Sequence, residues 1–184
     1  MIMNTDLSKF STGDYVAGPK WKIGLWYLIN YYIFNSALPW PYGIKRRLLK
    51  SFGAKVGTGL VIKTKVRIKY PWRLRIGNNC WIGESVWIDN LEEVVIGDNV
   101  CLSQGAMLLT GNHDYKRSDF PYRLGGITIE DGVWIGAQSV VCPGIICRSH
   151  AVLTVKSVAV RDLEAWTVSA GNPAVPVRKR EIIA

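Results

Sequence analysis

Few side chains of this chain titrate near neutral pH or offer a thiol nucleophile. Its 184 residues include two histidines, His113 and His150, and four cysteines, Cys80, Cys101, Cys142 and Cys147. The cysteines show neither a C-x-x-C pair nor the spacing of a secreted disulfide framework. They read as reduced thiols of a cytoplasmic protein. The N-terminus also lacks the charged, then apolar, then small-residue order of a signal peptide. An imidazole with an unperturbed pKa near ~6.5 takes up and releases protons at neutral pH. Which histidine does so depends on the elements that carry the two.

Charge narrows the partners. The chain has 23 Lys and Arg against 14 Asp and Glu, a net charge of +9. Such an excess calls for an anionic partner: nucleic acid, a phospholipid surface or a phosphorylated small molecule. No recognised nucleic-acid module is visible, so nucleic acid is not expected. With 48% hydrophobic residues the chain has ample material for a packed core, which excludes disorder.

The elements come from a six-residue period. Ile76, Ile82 and Ile88 form one series, Ile96, Leu102 and Leu108 a second. Ile129, Ile135, Val141, Cys147, Leu153 and Ala159 form a third, and Val56, Ile62 and Ile68 fit the same step upstream. Gly often follows the aliphatic (Gly57, Gly77, Gly83, Gly97, Gly136). A small or β-branched residue often stands four places on (Cys80, Val86, Val100, Ala106, Val133, Ser139, Ala151, Ser157). Self-similarity at this period marks a parallel β-helix. Each hexapeptide is a short strand plus a bend, with the aliphatic inward and Gly expected to relieve the strain of the turn. Three hexapeptides close one triangular coil. The longer steps from Val56 to Ile76 and from Ile76 to Ile96 imply two extra residues at one corner of each coil. The alternative, chance alternation in an antiparallel sandwich, does not explain the fixed step.

Two regions break the period. Residues 109–128 are too polar and turn-rich for a coil, and a long loop on a rigid solenoid is usually functional. That loop carries His113, whereas His150 falls within the repeat and reads as an exterior turn without a catalytic role. Residues 1–55 form the other break. Trp21–Phe34 reads as a helix ending before Pro39 and Pro41. Ile44, Leu48, Leu49 and Phe52 suit a second, amphipathic helix stopped by Gly53. The expected organisation is an N-terminal helical extension, 1–55, a β-helix domain, 56–174, and a basic C-terminal tail, 175–184.

The ordered hexapeptides, with Thr110-Gly-Asn-His-Asp-Tyr115, Val133-Trp-Ile-Gly136 and Ala170-Gly-Asn-Pro-Ala174, resemble the left-handed β-helix acyltransferases. Within them the chain is most similar to the colanic-acid-biosynthesis type of exopolysaccharide O-acetyltransferase. The likeness runs almost end to end and includes Asp6-Leu-Ser-Lys-Phe10 and Arg67-Ile-Lys-Tyr-Pro-Trp72. It implies an all-β, left-handed parallel β-helix, a turn sense that composition does not reveal. It also implies a homotrimer with acetyl-CoA as co-substrate in clefts between neighbouring prisms, and a sugar or glycan acceptor.

The family's catalytic histidine falls on His113. A sugar hydroxyl is a poor nucleophile until its proton is removed as it attacks the thioester, and imidazole suits that task. Attack is expected to be direct, with a backbone N–H steadying the oxyanion. Asp89 matches an aspartate that faces the acceptor and would orient His113 or bind the sugar; an Asx-type corner is the plainer reading. Glu84 replaces an acceptor-binding asparagine of the maltose- and galactoside-acetylating relatives, and Asn112 and Asp114 flank the base as acceptor contacts. For CoA the resemblance points to Trp134, Ala137 and Ser139 along the pantetheine. Gly171, Asn172 and Pro173 with Arg178, Lys179 and Arg180 would lie near the nucleotide, where cations suit its phosphates. The last coils depart from the pattern at Arg148, His150, Thr154 and Lys156, which would narrow that channel or alter trimer packing.

No metal is expected. A zinc-dependent carbonic anhydrase on the same scaffold needs three histidine ligands, and this chain has two in unlike contexts. Two other functions stay open: an acetyltransferase of a small cytosolic sugar, and a non-catalytic trimeric scaffold in polysaccharide assembly. Trp21, Trp26, Tyr27, Tyr31 and Tyr32, followed by Lys45, Arg46, Arg47 and Lys50, also suit peripheral contact with the inner membrane leaflet. The competing reading is that these helices cap the open end of the solenoid.

Overall fold

Backbone hydrogen bonds run between successive coils rather than within them, and this decides the architecture. The computed structural model describes residues 4–183. Each hexapeptide contributes a strand of two or three residues and a bend, and strands at equivalent places stack in parallel into three faces. The first face stacks Lys55–Val56, Leu74–Ile76, Val94–Ile96, Ile127–Ile129 and Ile146–Cys147. The second stacks Val61–Ile62, Trp81–Ile82, Cys101–Leu102, Trp134–Ile135 and Val152–Leu153 before a final hairpin, and the third Arg67–Ile68, Trp87–Asp89, Met107–Leu109, Val140–Val141 and Val158–Ala159. Ile76 lies opposite both Val56 and Ile96, and Ile129 opposite Ile96 and Cys147. The expected parallel β-helix is the observed one.

Side chains of a strand alternate between its two sides, so one set in each coil points into the prism. Every aliphatic of the four series is buried, and so are Cys80, Val86, Val100, Ala106, Val133, Ser139, Ala151 and Ser157 beside them. The glycines that follow the aliphatics correct the expectation. Gly57, Gly77, Gly83, Gly97 and Gly136 do not adopt positive φ; that falls two places later, on Gly59, Asn79, Ser85, Asn99 and Gln138. What excludes a side chain at the glycines is the next coil. A Cβ on Gly136 would lie 2.7 Å from the Leu153 carbonyl oxygen, and one on Gly83 2.8 Å from that of Leu102.

Variation in coil length falls at the corner between the third and first faces. Eight residues instead of six separate Ile68 from Ile76 and Ile88 from Ile96, the extra pair the sequence implies. In the first case they form a short 3-10 turn, Pro71–Arg73. After Leu109 the same corner opens into a hairpin, Gly111–His113 against Tyr122–Leu124. This excursion is shorter than the loop 109–128 expected, because Met107–Leu109 and Ile127–Ile129 remain strands of the coils. The chain re-enters in register, Ile127, Thr128 and Ile129 opposite Val94, Val95 and Ile96.

A stack of coils leaves unpaired backbone groups at both ends, and buried ones must find partners. At the N-terminal end α1, Lys20–Ile29, continues as a π turn, Asn30–Phe34, and α2 spans Tyr42–Ser51 before Gly53 at φ +98. Trp26, Phe34, Leu49 and Phe52 join the core. Trp26 Nε1–H donates to the Ile68 carbonyl at 2.7 Å, and the buried Lys45 ammonium donates to those of Lys63 and Ile62 at 2.6 and 3.3 Å. Lys45 is therefore withdrawn from the basic surface cluster assigned to it from sequence. At the other end, Thr167–Gly171 continues the second face and Ala174–Lys179 folds back antiparallel on it. Residues 175–179 thus belong to a strand rather than to a free tail, because the last edge of the second face takes a partner there.

Replacing Gly136 by Ala should lower stability by about 1–3 kcal/mol, the usual cost of overpacking. Gly24→Ala, in α1 with nothing within 4 Å of the added Cβ, should have the opposite sign because alanine favours helix. Urea unfolding of the two variants checks both; equal effects would contradict this account.

Candidate active site

Two three-residue strands make a weak platform for a catalytic group, so the hairpin that carries His113 is braced by its own loop. Asn112 Oδ1 accepts the His113 N–H at 2.8 Å, and the Asp114 N–H donates to the Pro121 carbonyl at 2.9 Å. Asp114 Oδ1 accepts the Lys116 N–H at 3.1 Å, and the Arg117 guanidinium forks onto Asp119 at 2.7 and 3.0 Å. At the base of the hairpin Thr110 Oγ1 donates to the Asp89 carbonyl and accepts from the Glu92 N–H, both at 2.9 Å. Asn112 and Asp114, expected to face an acceptor, each commit a side-chain oxygen to this loop.

The half-buried His113 ring is held on several sides. Nδ1 lies 2.8 Å from the Phe120 carbonyl oxygen. The Phe120 ring stacks on the imidazole at 4.5 Å and 11°, with Tyr122 at 5.1 Å and Phe10 at 5.6 Å. A carbonyl oxygen only accepts, so Nδ1 carries the hydrogen, and in the neutral ring Nε2 keeps its lone pair. An imidazole so placed offers one basic nitrogen in a fixed direction.

Asp89 behaves differently from the expectation that it orients His113. Its carboxylate pairs with Lys69 at 2.9 Å, and among the described residues it makes no hydrogen bond to His113. Burial alone would lower the Lys69 pKa, but the hydrogen bond and charge of Asp89 outweigh it and hold that pKa above its ordinary value. Glu84 likewise pairs with Lys65 at 3.1 Å.

On the second face Trp81-Ile82-Gly83 and Trp134-Ile135-Gly136 place two outward indoles in one column with Cys101 between them. They are 61% and 47% exposed, far more than the core around them. A groove of about 660 Å³ runs over them, bordered by Tyr42, Lys63, Glu84 and Ser103. Trp134 Nε1–H donates to Ser103 Oγ at 2.8 Å, which fixes its indole across the coils. On the other side of Trp134 lies a second groove of about 320 Å³, lined by Val152, Thr154, Val168, Arg178, Arg180 and Ile182 among others. Arg180 is held there by the Gly132 and His150 carbonyls at 2.7 and 3.1 Å.

Of the residues expected to hold a cofactor, Trp134, Arg178 and Arg180 therefore come together. Lys179 does not join them: its ammonium turns to Thr167 Oγ1 at 3.3 Å. Ser139 is fully buried, its hydroxyl donating to the Thr154 carbonyl at 2.6 Å, so it shapes the corner and offers no hydroxyl to a ligand. Ala137 is half-buried, and its carbonyl accepts the Lys156 N–H at 2.9 Å. Gly171, Asn172 and Pro173 form the exposed bend of the last hairpin, with a cis Asn172–Pro173 peptide. His150 occupies a left-handed corner and stacks on Trp166 at 4.2 Å, away from His113. Among the described residues no three His, Cys, Asp or Glu side chains gather as a metal site. Burial pushes the Cys147 thiol up to about 12 and raises the other three, so no thiol is poised as a nucleophile.

Sequence reasoning missed Trp81, Ser103, Phe10, Phe120 and Tyr122. The repeated Trp-Ile-Gly tripeptide was a signal for Trp81. Nothing local signals Phe10, which meets His113 only through the fold.

WcaF of Escherichia coli (strain K12), named as a colanic acid biosynthesis acetyltransferase, is 35% identical to the chain over 176 residues, 95% of this chain and 97% of that protein. The chain belongs to the hexapeptide-repeat acetyltransferase family. A galactoside acetyltransferase solved in complex with coenzyme A matches this acetyltransferase with a TM-score of 0.80 at 26% identity, covering 91% of this chain and 85% of that one. A hexapeptide-repeat acetyltransferase of Vibrio cholerae matches it with 0.79 at 22% identity, covering 89% and 93%. No family model matches the chain. The turn sense implied by the resemblance holds: the fold of this acetyltransferase is the left-handed β-helix.

Proposed function

We propose that this acetyltransferase moves an acetyl group from acetyl-CoA to a sugar hydroxyl, in the making of an exopolysaccharide or a lipid-linked glycan, with His113 as the base. The observation that carries this reading is the His113 ring, whose Nδ1 is bound to the Phe120 carbonyl and whose Nε2 is left to accept a proton. The hydroxyl oxygen forms a C–O bond to the thioester carbon as its proton passes to Nε2. Collapse breaks the C–S bond, and the leaving thiolate takes the proton back from the imidazolium. The exopolysaccharide acceptor rests on the likeness to WcaF along nearly the whole of both chains.

The two grooves that meet at Trp134 fit acetyl-CoA. Aromatic and aliphatic walls suit the acyl and pantetheine end, and Arg178 and Arg180 suit the phosphates of the nucleotide end. His113→Ala should lower kcat by about two to four orders of magnitude and leave acetyl-CoA affinity nearly unchanged. Thiol release with candidate glycans measures the first and calorimetry the second. Activity within a factor of a few of the native enzyme would remove His113 as the base.

The placement of these parts supports a homotrimer. His113 stands at the corner between the third and first faces, lines neither groove, and the larger groove opens on the second face. One prism thus holds base and groove apart, and a neighbouring copy would unite them. Co-refolding of His113→Ala chains with Trp134→Ala chains should restore roughly a quarter of native activity by random assortment of protomers in closed rings. A mixture no more active than its components would contradict a shared site.

A peripheral membrane contact is the reading of one further surface. The side of α1 opposite Trp26 carries Trp21, Leu25 and Leu28, continued by Tyr31 and Tyr32, all exposed and without a charge in the stripe. Capping accounts for Trp26 and Phe34 but not for these. Lys20 at the start of α1 and Arg47 and Lys50 on α2 are also exposed, and anionic headgroups attract such cations at about 1 kcal/mol each. No helix among the described residues is long and apolar enough to cross a membrane. The protein should float with anionic vesicles at low salt and less at high salt, and Trp21→Ser with Leu28→Ser should abolish this. Intact protein left behind by such vesicles at low salt would refute the contact.

A further inference from the structure

The Asp6-Leu-Ser-Lys-Phe10 motif has no place in the chemistry above, yet it ends against the base. Residues 7–9 form a 3-10 turn capped by Asp6, whose carboxylate accepts from the Ser8 N–H at 3.2 Å and the Ser8 hydroxyl at 2.6 Å and pairs with Lys9 at 3.1 Å. The Asp6 N–H donates to the Ser118 carbonyl at 2.8 Å, across the tip of the hairpin loop. Phe10 then meets the His113 ring at 5.6 Å and the Tyr122 ring edge-on at 5.3 Å.

The same segment continues onto the rigid corner. Tyr15 meets Tyr122 edge-on at 5.6 Å, and its hydroxyl donates to the Leu91 carbonyl at 3.0 Å. Arg73 Nη2–H donates to the Val16 carbonyl at 2.7 Å and Trp72 Nε1–H to that of Ala17 at 2.8 Å. A segment that only anchored the N-terminus would keep its contacts on the solenoid. Here they are divided: Asp6 and Phe10 on the hairpin, Tyr15 on both the hairpin and the coil corner, Val16 and Ala17 on the coil corner.

We propose that residues 6–17 are a strap that holds the hairpin to the solenoid, and that Phe10 is a positioning residue for the His113 imidazole. The proposal rests on His113 being the base. Phe120 stacks on one face of the ring and the Nδ1 bond fixes its edge; Phe10, with Tyr122, packs against the ring and limits its tilting while Nε2 stays open. A base on a short hairpin gains from this because small displacements of a reacting group are costly, up to about a hundred-fold in rate for ~1 Å.

The test is a double-mutant cycle on the full chain, read with acetyl-CoA and an acceptor. Phe10→Ala should lower kcat about ten-fold, keep the acetyl-CoA KM within about two-fold, and leave the urea midpoint unchanged, since Phe10 is 36% exposed. Phe10→Tyr, which keeps the ring, should restore the rate. In the His113→Ala background, Phe10→Ala should cost nothing more, because a positioning residue acts through the base. Native kcat in Phe10→Ala, or the same fold-loss with and without His113, overturns the strap. A fully active His113→Ala enzyme overturns the base reading instead, so the two failures are distinct.

Discussion

The spacing of neighbouring coils, one β-ladder apart at about 4.8 Å, is the constraint from which the rest of this molecule follows. Each coil must follow the backbone of the one before it. Inward positions then accept only side chains that fill a narrow prism, and Gly83 and Gly136 face the next backbone at distances no Cβ tolerates. A ladder that regular also has two raw edges. The Trp26 indole, the Lys45 ammonium and the final hairpin exist in their present form because those edges must be covered.

His113 enters where the ladder is locally relaxed. The hairpin leaves the stack after Leu109 and returns at Ile127 without a slip of register, so a polar, irregular loop is added to a rigid body at little cost to it. Inside the loop, order comes from short-range polar contacts and aromatic stacking rather than from the solenoid. The grooves, in contrast, are made by the outward side chains of regular strands, with Trp81 and Trp134 repeating the same tripeptide two ladder steps apart. His113 and the grooves thus come from different parts of the fold.

Much of this was legible in the sequence, for physical reasons. The period of six survives because Ile76, Ile82, Ile88 and their counterparts cannot leave the prism. The loop was visible because residues such as Asn112, Asp114, Ser118 and Asp119 cannot enter it. Turn sense was not legible, since either hand needs the same inward pattern; it came from the resemblance. Lys45 looked like one more surface cation among Arg46, Arg47 and Lys50, and only the bare carbonyls of the first coil explain its burial. Reading 175–184 as a tail hid a strand whose alternation sends Arg178 to a groove and Lys179 to Thr167, with Arg180 held at the same groove just beyond its end. Phe10 and Tyr122 meet His113 through long-range packing that no spacing rule anticipates.

The single variable corner has a consequence for how such a protein changes. Two coils place two extra residues there, one places the whole hairpin, and the coils after it place none, while the other two corners keep their length throughout. An insertion at this edge leaves the register of the stack intact, so the chain can carry an appendage there without renegotiating its core. Length changes in a chain built this way are expected to gather on that edge, with the scaffold kept in register beside a segment of fewer than twenty residues, 110–126 in this chain.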